Sequence, residues 1–242
     1  MSFNIFKKKP IMEFYCHPDW EGIIAEPKPA GKCVSDWYKR VAPLHNTKTD
    51  AFGGKMMTIK KCLPVLDAMS LGYVITLNGD LGVKVNEDLT QILVTNPPGI
   101  KLAEFHDIDQ VGGATAPGAP AQPLKFINHW VVKTAPGWST LFVPLVNDFD
   151  NNLFTTIGGL VDTDNYPKEV NFPAIWHAPN FEGVLPAGTP LVVAIPVKRS
   201  AMARKPDVRK MSRKEFQEID DIRKKQSIRR HVYTSELREN RK

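Results

Sequence analysis

A chain of 242 residues with 42% hydrophobic side chains can bury a full core, either as one large domain with an appendage or as two small domains. No apolar run approaches the roughly 20 residues that a bilayer helix needs, and the start, through Lys7-Lys8-Lys9-Pro10, lacks the apolar stretch of a signal peptide. A cytoplasmic protein without a membrane partner is expected. The formal charge of +6 is unevenly placed: residues 201–242 carry 14 Lys and Arg against 7 Asp and Glu, so the basicity belongs to the tail.

Residues 1–60 are rich in Pro, Lys and aromatics and predict an extended N-terminal arm. The prolines of Glu26-Pro27-Lys28-Pro29 block helix. Ser35-Asp36-Trp37-Tyr38-Lys39 predicts a short capped helical turn, and Lys60 to Met69 a second one, with Pro64 in its first turn and Gly72 ending it. The three cysteines, Cys16, Cys33 and Cys62, are widely spaced without a C-x-x-C, so reduced thiols are the default. A zinc site of Cys16, His17, Cys33 and Cys62 can be drawn, although its spacing matches no compact knuckle.

Residues 61–200 predict an all-β core. Tyr73–Leu77, Gln91–Thr95, Lys125–Lys133, Ser139–Leu145, Leu153–Ile157, Phe172–Trp176 and Leu191–Ile195 are short, β-branched or aromatic, and separated by Gly, Pro, Asn and Asp. Asn78-Gly79-Asp80 and Asp148 to Asn152 predict turns between antiparallel neighbours, and Val111 to Pro123 an exposed loop or flap. Ser212-Arg213-Lys214-Glu215 opens a capping-box helix that runs to about Arg230, with Phe216, Ile219 and Ile222 on a narrow apolar stripe. The expected architecture is mainly β, a β-clip or jelly-roll-like core between the Pro-rich arm and a basic helical tail of residues 201–242.

Within that frame, Gly159-Leu160-Val161-Asp162-Thr163-Asp164-Asn165-Tyr166 and the later turn and strand from Gly188 to Pro196 are laid out to line a polar pocket. Asp162 and Asp164 lie two apart. On a strand they share a face and can bind a cation or work as an acid/base pair; in a turn before Pro167 they cap backbone groups instead. For non-haem iron, His106 and Asp109 with His129 or His177 form a drawable set, opposed by the strand face His106 shares with Ile108. His129, beside Trp130, also reads as a satisfied core or interface histidine. No G-x-S-x-G, P-loop or G-x-G-x-x-G is present, so the serine hydrolase, NTPase and Rossmann readings lack their parts. In the tail, Lys224, Lys225, Arg229 and Arg230 can meet nucleic-acid phosphates, or the same helix can dock on a neighbouring subunit through Phe216, Ile219, Ile222 and Tyr233. No cofactor is indicated.

Several segments carry a resemblance: Pro27 to Trp37, Thr58 to Pro64, Lys125 to Trp130, Lys133 to Ser139, Gly159 to Tyr166, Val170 to Pro173 and Gly188 to Arg199. Over about Glu13 to Arg199 the chain resembles an uncharacterised family, a domain of unknown function, found in bacteria and tailed bacteriophages. The family brings no activity with it; the phage-like size and the basic tail point to a viral or prophage origin, in the host cytoplasm or virion. The order of the Gly159–Tyr166 and Gly188 segments is also similar to the β-clip fold of trimeric dUTPases and dCTP deaminases. By that likeness Asp162 orients a sugar hydroxyl or water and Tyr166 packs on a ring, with Gly159 and Trp138 at the ligand. Between Thr140 and Asp150, however, no phosphate-binding turn occurs. The functional expectation is a non-enzymatic binding or assembly protein with an oligomerising β-core, a homotrimer favoured. A nucleotide-binding or nucleotide-converting β-clip protein and a cupin-like metalloenzyme are the alternatives.

Overall fold

The computed structural model describes residues 10–113, 122–202 and 205–239. In chain order the first strands are β1 (Met12–Tyr15), β2 (Lys28–Pro29), β3 (Leu44–Thr49), β4 (Lys55–Met57), β5 (Tyr73–Thr76), β6 (Leu81–Val85), β7 (Ile92–Thr95) and β8 (Ala103–Phe105). They continue as β9 (Leu124–Phe126), β10 (Val131–Thr134), β11 (Trp138–Val143), β12 (Phe154–Thr156), β13 (Gly159–Val161), β14 (Phe172–Trp176), β15 (Glu182–Leu185) and β16 (Pro190–Lys198). The helices are α1 (Asp36–Arg40), α2 (Leu63–Met69) and α3 (Arg213–Ile228). The chain is mainly β with a C-terminal helix, as the short β-branched runs predict, and among the described residues its sheets do not close into a barrel. Among the described residues no helix is long and apolar enough to cross a membrane.

Among the described residues every strand pair is antiparallel. The largest sheet runs β13-β11-β16-β5-β2, a second runs β12-β14-β9-β8, a third β15-β6-β7, and the ribbons β1-β10 and β3-β4 complete the set. One apolar core takes side chains from the first three sheets and from β10: Ile75, Phe142 and Ala194 from the first, Phe126, Phe172 and Trp176 from the second, Leu81, Val83 and Leu185 from the third. Aromatic rings pack within it, with Phe126 against Phe154 and Trp176 against Phe181 at centroid separations of 4.9 and 5.1 Å.

The run Leu191-Val192-Val193-Ala194 is buried at every position because both faces of the central strand β16 are covered. Val192 and Ala194 face the main core; Val193 joins Val74 and Ala30 in a second cluster, on which Cys33 packs. The Pro-rich segment is therefore part of the fold: β1 pairs with β10, β2 with β5, and Ala30 donates its N–H to the Gly72 carbonyl at 3.0 Å. The described residues up to Met202 form one compact unit.

Several local expectations change. The run from Lys125 to Lys133 is two strands in different sheets, because the Asn128 side chain takes both backbone groups of Trp130, donating to its carbonyl at 2.7 Å and accepting from its N–H at 3.0 Å. Neither predicted turn closes a hairpin between neighbours. Asp80 accepts from the Ala187 N–H at 2.8 Å, tying that turn to the approach to β16, while β5 and β6 part into different sheets. Asp148 and Asp150 accept from the Ser35 hydroxyl and the Trp37 N–H at 2.8 and 2.7 Å, so their loop holds α1 instead. Strand β8 ends at Phe105, so His106 and Ile108 do not share a strand face. Most of the Val111 to Pro123 loop lies outside the described residues.

The described residues from Lys205 onward form a second unit. Helix α3 begins at Ser212 with the predicted capping box, Glu215 reaching back to the Ser212 N–H. Arg209 and Ser212 hold the Glu215 carboxyl down at about 2. A short π-helical turn follows over Tyr233–Leu237.

Candidate functional site

After β13 the chain turns: the N–H groups of Asn165 and Tyr166 both reach the Asp162 carbonyl, at 2.9 and 3.0 Å. Asp162 and Asp164 thus stand in a turn beyond the strand end. Both are engaged by the neighbouring strands. The Ser139 hydroxyl on β11 donates to Asp162 Oδ1 at 2.6 Å. Arg199, just past β16, grips Asp164 with both terminal guanidinium nitrogens, Nη1 donating to Oδ1 at 2.8 Å and Nη2 to Oδ2, and Nη1 also donates to the Trp138 carbonyl at 3.1 Å. The Gly137 N–H adds a 2.9 Å bond to Asp164 Oδ2. Between the two carboxylates Thr163 points inward, its hydroxyl 2.8 Å from that of Thr134 and 2.7 Å from that of Thr140, all three buried.

This arrangement clamps β13, β11 and β16 together at one end of their sheet. Chiefly because of the Arg199 hydrogen bonds, the Asp164 carboxyl is held down at about 2 against the opposing effect of burial. A carboxylate that weakly basic, with its oxygens occupied, is a poor general base. Arg199 and Ser139 escape a reading by motif because their partners are distant in sequence; the two-residue spacing of the aspartates was the visible signal.

The drawn metal ligands are dispersed. His106 Nδ1 lies 2.9 Å from Gln110 Oε1, and Asp109 belongs to the same 3-10 turn, Ile108–Val111. His177 Nε2 lies 2.8 Å from the Thr155 hydroxyl, and His129 Nδ1 lies 3.2 Å from Asn78 Nδ2. Among the described residues no three His, Cys, Asp or Glu side chains are grouped to hold a metal ion, the drawn zinc set included. Burial raises the Cys33 thiol pKa.

In the tail, Lys224 pairs with Asp220 at 2.6 Å, and Lys225 and Arg229 both pair with Glu236 from the π-helical turn, Lys225 at 3.2 Å. Arg230 stands in the turn after α3.

Two of the clefts on the first unit bear on these residues. One, of about 520 Å³, lies between the Ser35–Lys39 region and the approach to β16; its Asp148 and Asp150 already hold α1. The other, of about 420 Å³, is lined by Trp20, Ile127, Asn128, His129 and Tyr166, with His17, Lys168, Glu169 and Asn171 beside them. The structure thus brings Tyr166 and His129 together, whereas Gly159 and Trp138 do not line this cleft. Burial lowers the His129 pKa, with Glu169 opposing, and the imidazole and the Trp20 ring meet in an edge-to-face arrangement at a centroid separation of 5.5 Å. Set against models of protein families and against curated proteins, the chain matches none.

Proposed function

We propose that this chain is a non-enzymatic binding and assembly protein of the phage type whose β-core joins copies of itself, a trimer favoured, in the host cytoplasm or virion. The observation that carries the reading is the outermost strand β13. Among the described residues it pairs on one side only, with β11, and it consists of Gly159, Leu160 and Val161. Sheet edges are ordinarily blunted by charge, proline or a covering segment. Here Leu160 is 49% exposed, with Ile157 and Tyr166 also exposed on the flanking turns. The outer strands of the three-stranded sheet likewise expose Val184 and Leu93. The engagement of Asp162 and Asp164 by Ser139, Arg199 and Gly137 supports a non-catalytic role over the nucleotide-converting one.

Light scattering at micromolar concentration should return a trimer or larger particle, and Leu160→Lys should lower its mass while leaving the thermal midpoint nearly unchanged. A wild-type monomer would overturn the reading. Deoxynucleoside triphosphates should neither bind nor turn over.

The tail reads best as a docking helix. The pairing of Lys224, Lys225 and Arg229 with Asp220 and Glu236 competes with phosphate contacts, while Phe216 and Ile219 remain exposed. Removing residues 203–242 should leave affinity for duplex DNA unchanged, and Phe216→Ala with Ile222→Ala should loosen the oligomer more than Arg229→Ala with Arg230→Ala. Steeply salt-dependent DNA binding that vanishes with the tail is the contrary result.

A further inference from the structure

We propose that the cleft between Trp20 and Tyr166 is a binding site for a saccharide. This inference goes beyond assembly and does not depend on it. At about 420 Å³ the cleft falls within the range of small-molecule sites, roughly 300–1,000 Å³. Part of its lining is held in place: Trp20 closes a 3-10 turn through its N–H to the His17 carbonyl at 2.9 Å, and its ring rests against His129. In the same lining, the Asn171 side-chain oxygen accepts from the Asn128 N–H at 3.0 Å, which leaves the amide nitrogen to donate elsewhere.

The ligand class follows from the groups that the fold leaves unused. Among the described residues the side chains of Tyr166, Lys168 and Glu169 make no hydrogen bond or ion pair within the chain, yet all three line this cleft. An anion would need donors and would be repelled by the Glu169 carboxylate; a cation would need acceptors and would be repelled by the Lys168 ammonium. A sugar hydroxyl donates and accepts at once, so it can satisfy the carboxylate, the ammonium, the phenol and the Asn171 amide together. The C–H face of a pyranose suits the indole and phenol rings of the lining, whose faces carry negative potential. The cavity is also short of clustered donors for a phosphate, which disfavours a nucleotide.

The test uses the full chain on an array of mono- and disaccharides and bacterial surface polysaccharides, followed by titration of the strongest hit through tryptophan fluorescence. Saturable binding is expected, weakened about tenfold or more by Tyr166→Ala and by Glu169→Gln, a loss of about 1.4 kcal/mol. Trp20→Ala should abolish it, with the thermal midpoint reporting whether that variant still folds; Met57→Lys, on the β3-β4 ribbon, should bind as wild type. An array with no hit would overturn the proposal. So would binding that survives both Tyr166→Ala and Glu169→Gln, or a stronger response to a deoxynucleoside than to any sugar.

Discussion

Gly72→Ala should destabilise the first unit more than any other glycine-to-alanine change at a positive φ for which space is left around the residue. Gly72 joins α2 to β5 with φ of 81°, a left-handed conformation that costs a side-chain-bearing residue about 1–3 kcal/mol. A methyl group there also collides with the Ala194 carbonyl oxygen and comes within 3.0 Å of Ile195 Cγ1, both on β16. Backbone, unlike a flexible side chain, cannot swing away. Relief requires shifting the register Ala194↔Tyr73, or the Ala30 N–H bond to the Gly72 carbonyl, at the point where β5, β16 and the N-terminal segment meet. Gly137 is the control: its φ is also 81°, but an added Cβ meets nothing within 4 Å. Urea unfolding of the two variants separates the conformational cost from the collision. Equal losses would show that the strand pair yields without penalty.

Acidification should unfasten the clamp at β13. Asp164 titrates at about 2 in the folded chain against an ordinary 3.8, so its contribution to stability is complete above about pH 4 and is lost as the pH falls toward 2. Glu104, held down at about 2 by Lys101 and Lys125, and Glu215 add to the same acid window, so the clamp is isolated by comparison with Asp164→Asn. That isosteric variant keeps an oxygen for Gly137 but gives up the charge-assisted grip of Arg199. It should melt several degrees below wild type at neutral pH and converge on it near pH 2. Parallel melting curves across that window would mean that Asp164 and Arg199 contribute no net stability.

Much of the local structure was legible because its causes are local. The Ser212 and Glu215 capping box, Pro64 in the first turn of α2, and the β-branched runs that became β5, β7, β11, β14 and β16 each depend on residues a few positions apart. What escaped depends on partners far along the chain. Strand β6 carries Gly82 and Lys84 between apolar residues and is made a strand by pairing with β7 and β15. The break at Ile127–Trp130 rests on one asparagine, whose side chain resembles any other strand-terminating polar group until its two bonds to Trp130 are seen. Arg199 reaches Asp164 across 35 residues, and the cleft gathers three segments that sequence spacing cannot associate.

By itself, then, the amino-acid order determined a mainly β chain with a basic C-terminal helix, because hydrophobic period and capping act over a turn or a strand. Only the tertiary structure decided that the Pro-rich segment is a layer over β16, that Asp162 and Asp164 belong to a clamp, and that Tyr166 lines one cleft with Trp20 and His129. Those outcomes are choices among burial partners, and several registers satisfy the same local pattern until the shared core and the buried hydrogen bonds of Thr134, Thr140 and Thr163 select one.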